Sequence, residues 1–241
     1  MTLTASSIVF RELESVAELK ESEQLQRDVW GEDDMPDNSD IMLALQHAGG
    51  LVAGAFHEDH MLGFLLGFPT NDAKVQHSHR LAVRVEGRGL GLGEKLKWFQ
   101  RDWCLDRGIE KIHWTYDPIL RVNASLNIGR LGATAGTYHE NYYGEMPGIN
   151  AGVPSDRLLA EWDLNEERVA ARKSNADFWK EEKLDHFALV TIPEQFGAVM
   201  KRDPDEALSE RIRVRNELQG HFTNGNRIVG FNSETSSYLI G

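Results

Sequence analysis

Arg88-Gly89-Leu90-Gly91-Leu92-Gly93 sets three alternate glycines between a segment rich in β formers and a segment of helical periodicity. Glycine lets a backbone approach a ligand without a Cβ in the way, and it takes positive φ where a tight turn needs it. Successive N–H groups can then point at one anion, and the positive end of a following helix adds to them. The run reads as a phosphate cradle, with a plain strand-to-helix turn as the alternative.

The flanks sharpen this reading. Upstream, Leu81, Val83 and Val85 fall on one face at period two within His79 to Val85, as in a strand. Downstream, Leu92, Leu96, Phe99 and Trp103 stand at i, i+4, i+7 and i+11, an amphipathic helical stripe that Arg107-Gly108 ends. Ile109 to Tyr116 reads as the next strand. The unit is strand, glycine loop, helix, strand.

Spacing separates the loops that bind phosphates. A dinucleotide fingerprint, GxGxxG, fails because its third glycine falls on Glu94 or Leu92, and a P-loop fails because Gly93 is followed by Glu94 and Lys95. The run does match the (Arg/Gln)xxGx(Gly/Ala) loop of the GNAT acyltransferases, with Arg88, Gly91 and Gly93 in the defining places. His77-Ser78-His79, Leu81-Ala82-Val83, Trp114 to Pro118, Asn123 to Asn127, Leu131-Gly132-Ala133, Asn141 to Gly144 and Ser155 to Leu158 extend the likeness. The chain thus resembles a bacterial branch of GNAT acyltransferases across roughly residues 8 to 165, some members of which are associated with N-acylation, including N-succinylation, of amino acids.

The resemblance implies an α/β fold with a mixed sheet, a GNAT core over 1–165 and a C-terminal extension over 166–241 packed on it. It implies acyl-CoA, as acetyl-CoA or succinyl-CoA, with its pyrophosphate on Arg88, Gly89, Leu90, Gly91, Leu92 and Gly93. The pantetheine would lie between two splayed strands, its amides bonded by the backbone of Leu81, Ala82 and Val83. Asn123 is expected to touch the CoA arm, with an N-cap role as the alternative.

Composition agrees with a folded enzyme. The 241 residues suffice for a substantial core, and hydrophobic residues make up 41%. The formal charge of -12 argues against nucleic acid or an anionic membrane as partner, since both reward basic patches. The single Cys104 has no internal disulfide partner and reads as a packed, reduced thiol. No segment approaches a membrane span and no basic, apolar leader opens the chain, so a cytoplasmic protein is expected.

Along the chain, Ile8 to Leu13 reads as a strand, Val16 to Trp30 as a helix, Gly31 to Ser39 as a loop and Asp40 to His47 as a short helix. Gly50 to Phe56 and Met61 to Phe68 form a hairpin about His57 to His60, and Val75 to Val85 adds a strand. Asn165 to Lys183 is dense in charge, a solvated helix or arm. Phe187 to Ile192, Ala207 to Leu218, Arg227 to Phe231 and Tyr238 to Ile240 suggest strand, helix, strand and strand.

The chemistry needs few groups. An amine attacks a thioester only when neutral, so a base must take its proton, the oxyanion needs donors, and the leaving thiolate takes an acid. His79 is the first candidate base, since a free imidazole titrates at about 6.5; His77 is second, and a histidine bonded into the sheet is the alternative for both. In many GNAT members a Tyr stands four residues before the Gly of a Leu-Gly pair, but here that position is Ile128. Among the downstream Tyr138, His139, Tyr142 and Tyr143, Tyr143 is the candidate acid, against a packed aromatic strand.

Arg157 is a candidate for holding a substrate carboxylate bidentately, or for a structural ion pair. Trp30 and Asp37 are candidates to line the acceptor site, and no third ligand completes a metal site around His77 and His79. The expectation is an N-acyltransferase acting on a small-molecule amine, monomeric or homodimeric and without metal. The alternative is an acyl-CoA sensor of the same fold without turnover.

Overall fold

The computed structural model describes residues 7–144, 152–174 and 186–241, so residues 175–183 of the charged stretch lie outside the described residues. The chain falls into two compact units, Met1–Ile112 and His113–Gly241.

The N-terminal unit is an antiparallel sheet in the order β1-β2-β3-β4, formed by β1 (Ile8–Glu12), β2 (Leu51–His57), β3 (His60–Pro69) and β4 (Val75–Val83). α1 (Val16–Trp30) and α2 (Ser39–His47) cover one face, and α3 (Leu92–Leu105) covers the other. Two covered faces explain why β2 and β3 read as continuous apolar runs rather than as an alternation. Leu19, Leu25 and Met42 from the helices pack with Val52, Phe56, Phe64, Leu66 and Ala82. Ser15 starts α1 by accepting the Glu18 amide, and Asn38 starts α2 by accepting that of Asp40. The β2–β3 turn does without glycine because Glu58 takes the left-handed conformation, φ 54°.

α3 approaches its face closely. A Cβ on Gly67 would stand 2.7 Å from the amide ends of both Gln76 and Gln100, so any other residue there would displace these two amides. The expected stripe is present, with Leu92, Leu96 and Trp103 buried. Beside it runs a second buried row that hydropathy does not reveal, made of Lys97, Gln100 and Cys104. Lys97 Nζ donates to Ser78 Oγ and Gln100 Oε1 at 2.9 Å each, and Gln100 Nε2 donates to Gln76 Oε1 at 2.7 Å. Burial pushes the Cys104 thiol up to about 12, which keeps it protonated and inert.

β4 departs from strict alternation. Leu66 pairs with Arg80 and Gly67 with Ser78, leaving His79 as an extra residue in a β-bulge. Gln76 and Ser78 face α3 before the bulge, and Leu81 and Val83 face it after. Val85 leaves the strand for a 3₁₀ turn, Val85–Gly87, and is exposed.

In the C-terminal unit the strand order is β5-β7-β6-β9-β10-β8. The strands are β5 (Lys111–Tyr116), β6 (Thr134–His139), β7 (Arg157–Asp163), β8 (Ala188–Thr191), β9 (Ile228–Asn232) and β10 (Ser237–Ile240). The short α4 (Arg121–Ala124) runs into a π turn over Ser125–Arg130. α5 (Glu167–Lys173), α6 (Phe196–Arg202) and α7 (Pro204–Thr223) follow. α7 is capped by Asp203 and has Pro at its first position. Trp162 is buried, donates from its indole to Leu131 O at 2.8 Å, and meets Trp114 edge-on.

Burial pushes the Lys97 ammonium down to about 7. In the unfolded chain a lysine stays protonated to about pH 10.4. Between these values the unfolded state binds more protons, so this residue makes stability rise with pH, and its penalty is greatest below pH 7. Urea unfolding of Lys97→Met beside the wild type should show the difference shifting toward the wild type by more than about 1 kcal/mol from pH 7 to 9. Parallel stability curves would contradict the buried, proton-poor lysine.

Candidate active site

The glycine run forms the turn from β4 into α3. Gly89 and Gly91 have φ of 82° and 69°, and a Cβ on either would find nothing within 4 Å. Open space thus lies over the loop. Gly91 is the N-cap of α3 and offers no side-chain cap; among the longer helices α1, α2 and α7 each have one, while the short α4, α5 and α6 do not. The first amides of a helix have no partner inside it, so this end is suited to an external anion. Gly93 differs, because its Cβ would touch Leu81 and Val83 at 3.7 and 3.8 Å in ordinary contact. Arg84 fixes the end of β4 by donating to Met61 O and pairing with Asp28 of α1.

On the opposite face of β4 the bulge turns two consecutive side chains toward the α1–α2 loop. His79 Nε2 stands 3.5 Å from Asp37 Oδ1, and Arg80 Nε stands 3.4 Å from Asp37 Oδ2. Arg80 also bonds Asp34 at 2.8 Å and lies over the Trp30 ring at 4.7 Å. Phe68, His77 and His79 form a tilted ring cluster with centroids 4.9 to 6.2 Å apart. Trp30 is therefore engaged by Arg80 on this side, and His77 and His79 are together.

In the C-terminal unit Tyr143 is half-exposed. Its hydroxyl is 3.1 Å from Thr115 Oγ1, and its ring lies under the Arg157 guanidinium at 5.1 Å. Its amide donates to Ser155 Oγ. Arg157 is largely buried and its Nη1 is 3.7 Å from Asp117 Oδ2, the ion-pair arrangement rather than an open fork. α7 supplies two further arginines. Arg211 bonds Asp117 through both oxygens at 2.8 and 2.9 Å, and Arg215 bonds Asp156 at 2.7 and 2.9 Å. Asp156 also accepts from the Tyr138 hydroxyl and the Asn141 amide, and burial together with this carboxylate pushes the Tyr138 phenol well above its usual range. Asn123 is partly buried at the end of α4, where its amide donates to Leu120 O.

Residues 13–122 match the acetyltransferase (GNAT) family. The match to the GNAT acetyltransferase domain spans a little under half of the chain. No curated protein matches its sequence. Its fold is similar to that of ribosomal-protein-S18-alanine N-acetyltransferase from Escherichia coli, with TM-score 0.55 and 16% identity over 66% of this chain and 95% of that one. It is similar to aminoglycoside 6'-acetyltransferase type Ii, with TM-score 0.54 and 15% identity over 66% and 99%. It is also similar to phosphinothricin acetyltransferase from Sinorhizobium meliloti in complex with acetyl-CoA, with TM-score 0.52 and 14% identity over 66% and 89%.

The sequence singled out the glycine loop, the β4 segment, His79 and Tyr143 as candidates, but it did not reveal the contacts that the structure gives them. The Asp37–His79–Arg80 arrangement depends on a bulge that period-two reading does not register. The Arg211 and Arg215 clamps carried one signal, an arginine at i+4 within the buried row Ala207, Arg211, Val214, Leu218. Ile128, in the position where many GNAT members have Tyr, is buried in the π turn. Among the described residues no group of three or more His, Cys, Asp or Glu could hold a metal ion, and no helix is long and apolar enough to cross a membrane.

Asp117 and Arg211 are both buried, and removing one charge leaves the other uncompensated. Asp117→Asn should lower the unfolding free energy by about 3 to 5 kcal/mol in urea titration. A loss below about 1 kcal/mol would show that the clamp contributes little.

Proposed function

We propose that this GNAT protein is an N-acyltransferase that moves an acetyl or succinyl group from acyl-CoA to the amine of a small molecule, an amino acid being one such acceptor. The observation that carries the reading is the open, uncapped glycine turn at the start of α3. The amides around Gly89, Gly91 and Gly93 would hold the pyrophosphate, with Arg88 beside them, and a Cβ at Gly89 or Gly91 would enter the space the phosphates need. Leu81, Ala82 and Val83 would bond the pantetheine through their backbone, and Asn123 would touch the CoA arm. The bound acyl-CoA supplies an activated thioester.

In this reading His79 accepts the proton of the attacking amine, and Tyr143 protonates the departing thiolate. Trp30 borders the acceptor, and Arg157 serves an acceptor or acyl carboxylate only by exchanging its Asp117 contact. Alignment of the two substrates supplies a large share of the rate, up to ~7 to 11 kcal/mol in well-oriented systems. The enzyme would be cytoplasmic, a monomer or homodimer, with residues 1–165 as the catalytic core and 166–241 as its extension.

Thiol release from acetyl-CoA and succinyl-CoA, measured over a panel of amino acids, other amines and polyamines, tests the reaction. Release with at least one acceptor is expected; CoA binding without release for any would favour a sensor.

Calorimetric titration of CoA against Gly91→Val tests the cradle. Left-handed backbone costs an L-residue about 1 to 2 kcal/mol, and Gly108→Val, at φ 74° with equally open space, controls for that strain. Gly91→Val should weaken CoA at least about tenfold, equivalent to 1.4 kcal/mol, while Gly108→Val leaves affinity unchanged. Equal affinity in both would remove the loop from CoA binding.

A further inference from the structure

The β4 bulge gives Asp37 two neighbours that a regular strand would put on opposite faces. One carboxylate oxygen faces His79 Nε2 and the other faces Arg80 Nε. The Arg80 contact is ionic, since Asp37 Oδ2 makes no hydrogen bond. The loop that carries Asp37 is itself tied down. The Asp37 amide donates to Oε1 of Gln26, a buried residue of α1, at 2.9 Å. Two residues on, the Ser39 amide donates to Glu23 Oε1 at 2.6 Å. Arg80 clamps the same loop through Asp34 and the Met35 carbonyl.

Asp37 thus has a fixed backbone and a guanidinium on its far oxygen, and it presents its near oxygen to a single ring nitrogen. An ionised carboxylate only accepts hydrogen bonds, so the nitrogen that faces it is the one that carries a proton. A neutral imidazole has one N–H and one lone pair.

We propose that Asp37 is the positioning residue of His79, holding the neutral ring in its Nε2–H tautomer so that Nδ1 carries the lone pair that takes the acceptor's proton. The inference rests on the reading of His79 as the base, and it goes further by naming the nitrogen, the partner that sets it and the device that brings the two together. The 3.5 Å separation is slightly longer than a hydrogen bond; such contacts in ligand-free enzymes tighten when substrate binds. Arg80 belongs to the same device, holding the Asp37 carboxylate turned toward the ring.

Two measurements on the full chain separate this inference from the reading beneath it. Long-range proton–nitrogen correlation spectra of the neutral ring, assigned with His79→Gln, read the tautomer without any need for activity. The wild type should be mainly Nε2–H, the isosteric Asp37→Asn should lose that majority, and Asp37→Glu should recover it in part. A wild-type ring that is mainly Nδ1–H, or a tautomer that Asp37→Asn leaves unchanged, would overturn the inference.

Kinetics then follow. Asp37→Asn should lower kcat between about tenfold and the ~10²-fold scale of general-base catalysis, with the acceptor KM changed less than about threefold, and Asp37→Glu should restore part of the rate. If His79→Gln keeps full activity, His79 is not the base, whatever its tautomer. If His79→Gln is impaired and Asp37→Asn is not, Asp37 has no positioning role.

Discussion

The turn from β4 into α3 is the constraint on which the proposed chemistry depends. A helix start needs partners for its first amides, and proteins ordinarily provide a side chain there. Ser15, Asn38 and Asp203 do so for α1, α2 and α7, while the short α4, α5 and α6 start without one. At α3 the cap position is a left-handed glycine with open space above it. Backbone donors, helix dipole and absence of Cβ therefore combine at one place. That arrangement suits an anion bound from outside, as a CoA pyrophosphate would be.

The strand that leads into this turn has to satisfy two faces. Toward α3 it presents the polar Gln76 and Ser78 to Gln100 and Lys97, then the apolar Leu81 and Val83 to Gly93. Toward α1 and α2 it presents Arg80 and Ala82. A regular strand could not do both without a change of phase, and the bulge at His79 supplies it. The same irregularity brings His79 and Arg80 to one carboxylate. The packing of β4 and the proposed base thus meet at a single inserted residue.

Much of this was legible in the sequence, for definite physical reasons. α1 matches its expected bounds, Val16–Trp30, because caps and charge mark both ends, and β2 and β3 announce themselves as apolar runs around a polar turn. The turn from β4 into α3 was readable because the glycine run separates a period-two segment from a helical stripe. What stayed hidden depends on contacts distant in sequence. Val85 continued the β4 alternation in sequence, yet the backbone turns away before it. Lys97 and Gln100 sit in a buried row because polar partners from β4 meet them, and hydropathy scores such residues as solvent-facing. The π turn after Asn123 and the arginine clamps of α7 likewise arise from tertiary partners.

The central claim is that the glycine turn receives the phosphates of CoA, and amide spectra recorded during a CoA titration test it residue by residue. The account predicts that the largest shifts fall on the amides of Gly89 to Gly93, with a second set at Leu81 to Val83. Saturable shifts confined to other parts of the chain, with these amides unmoved, would contradict it.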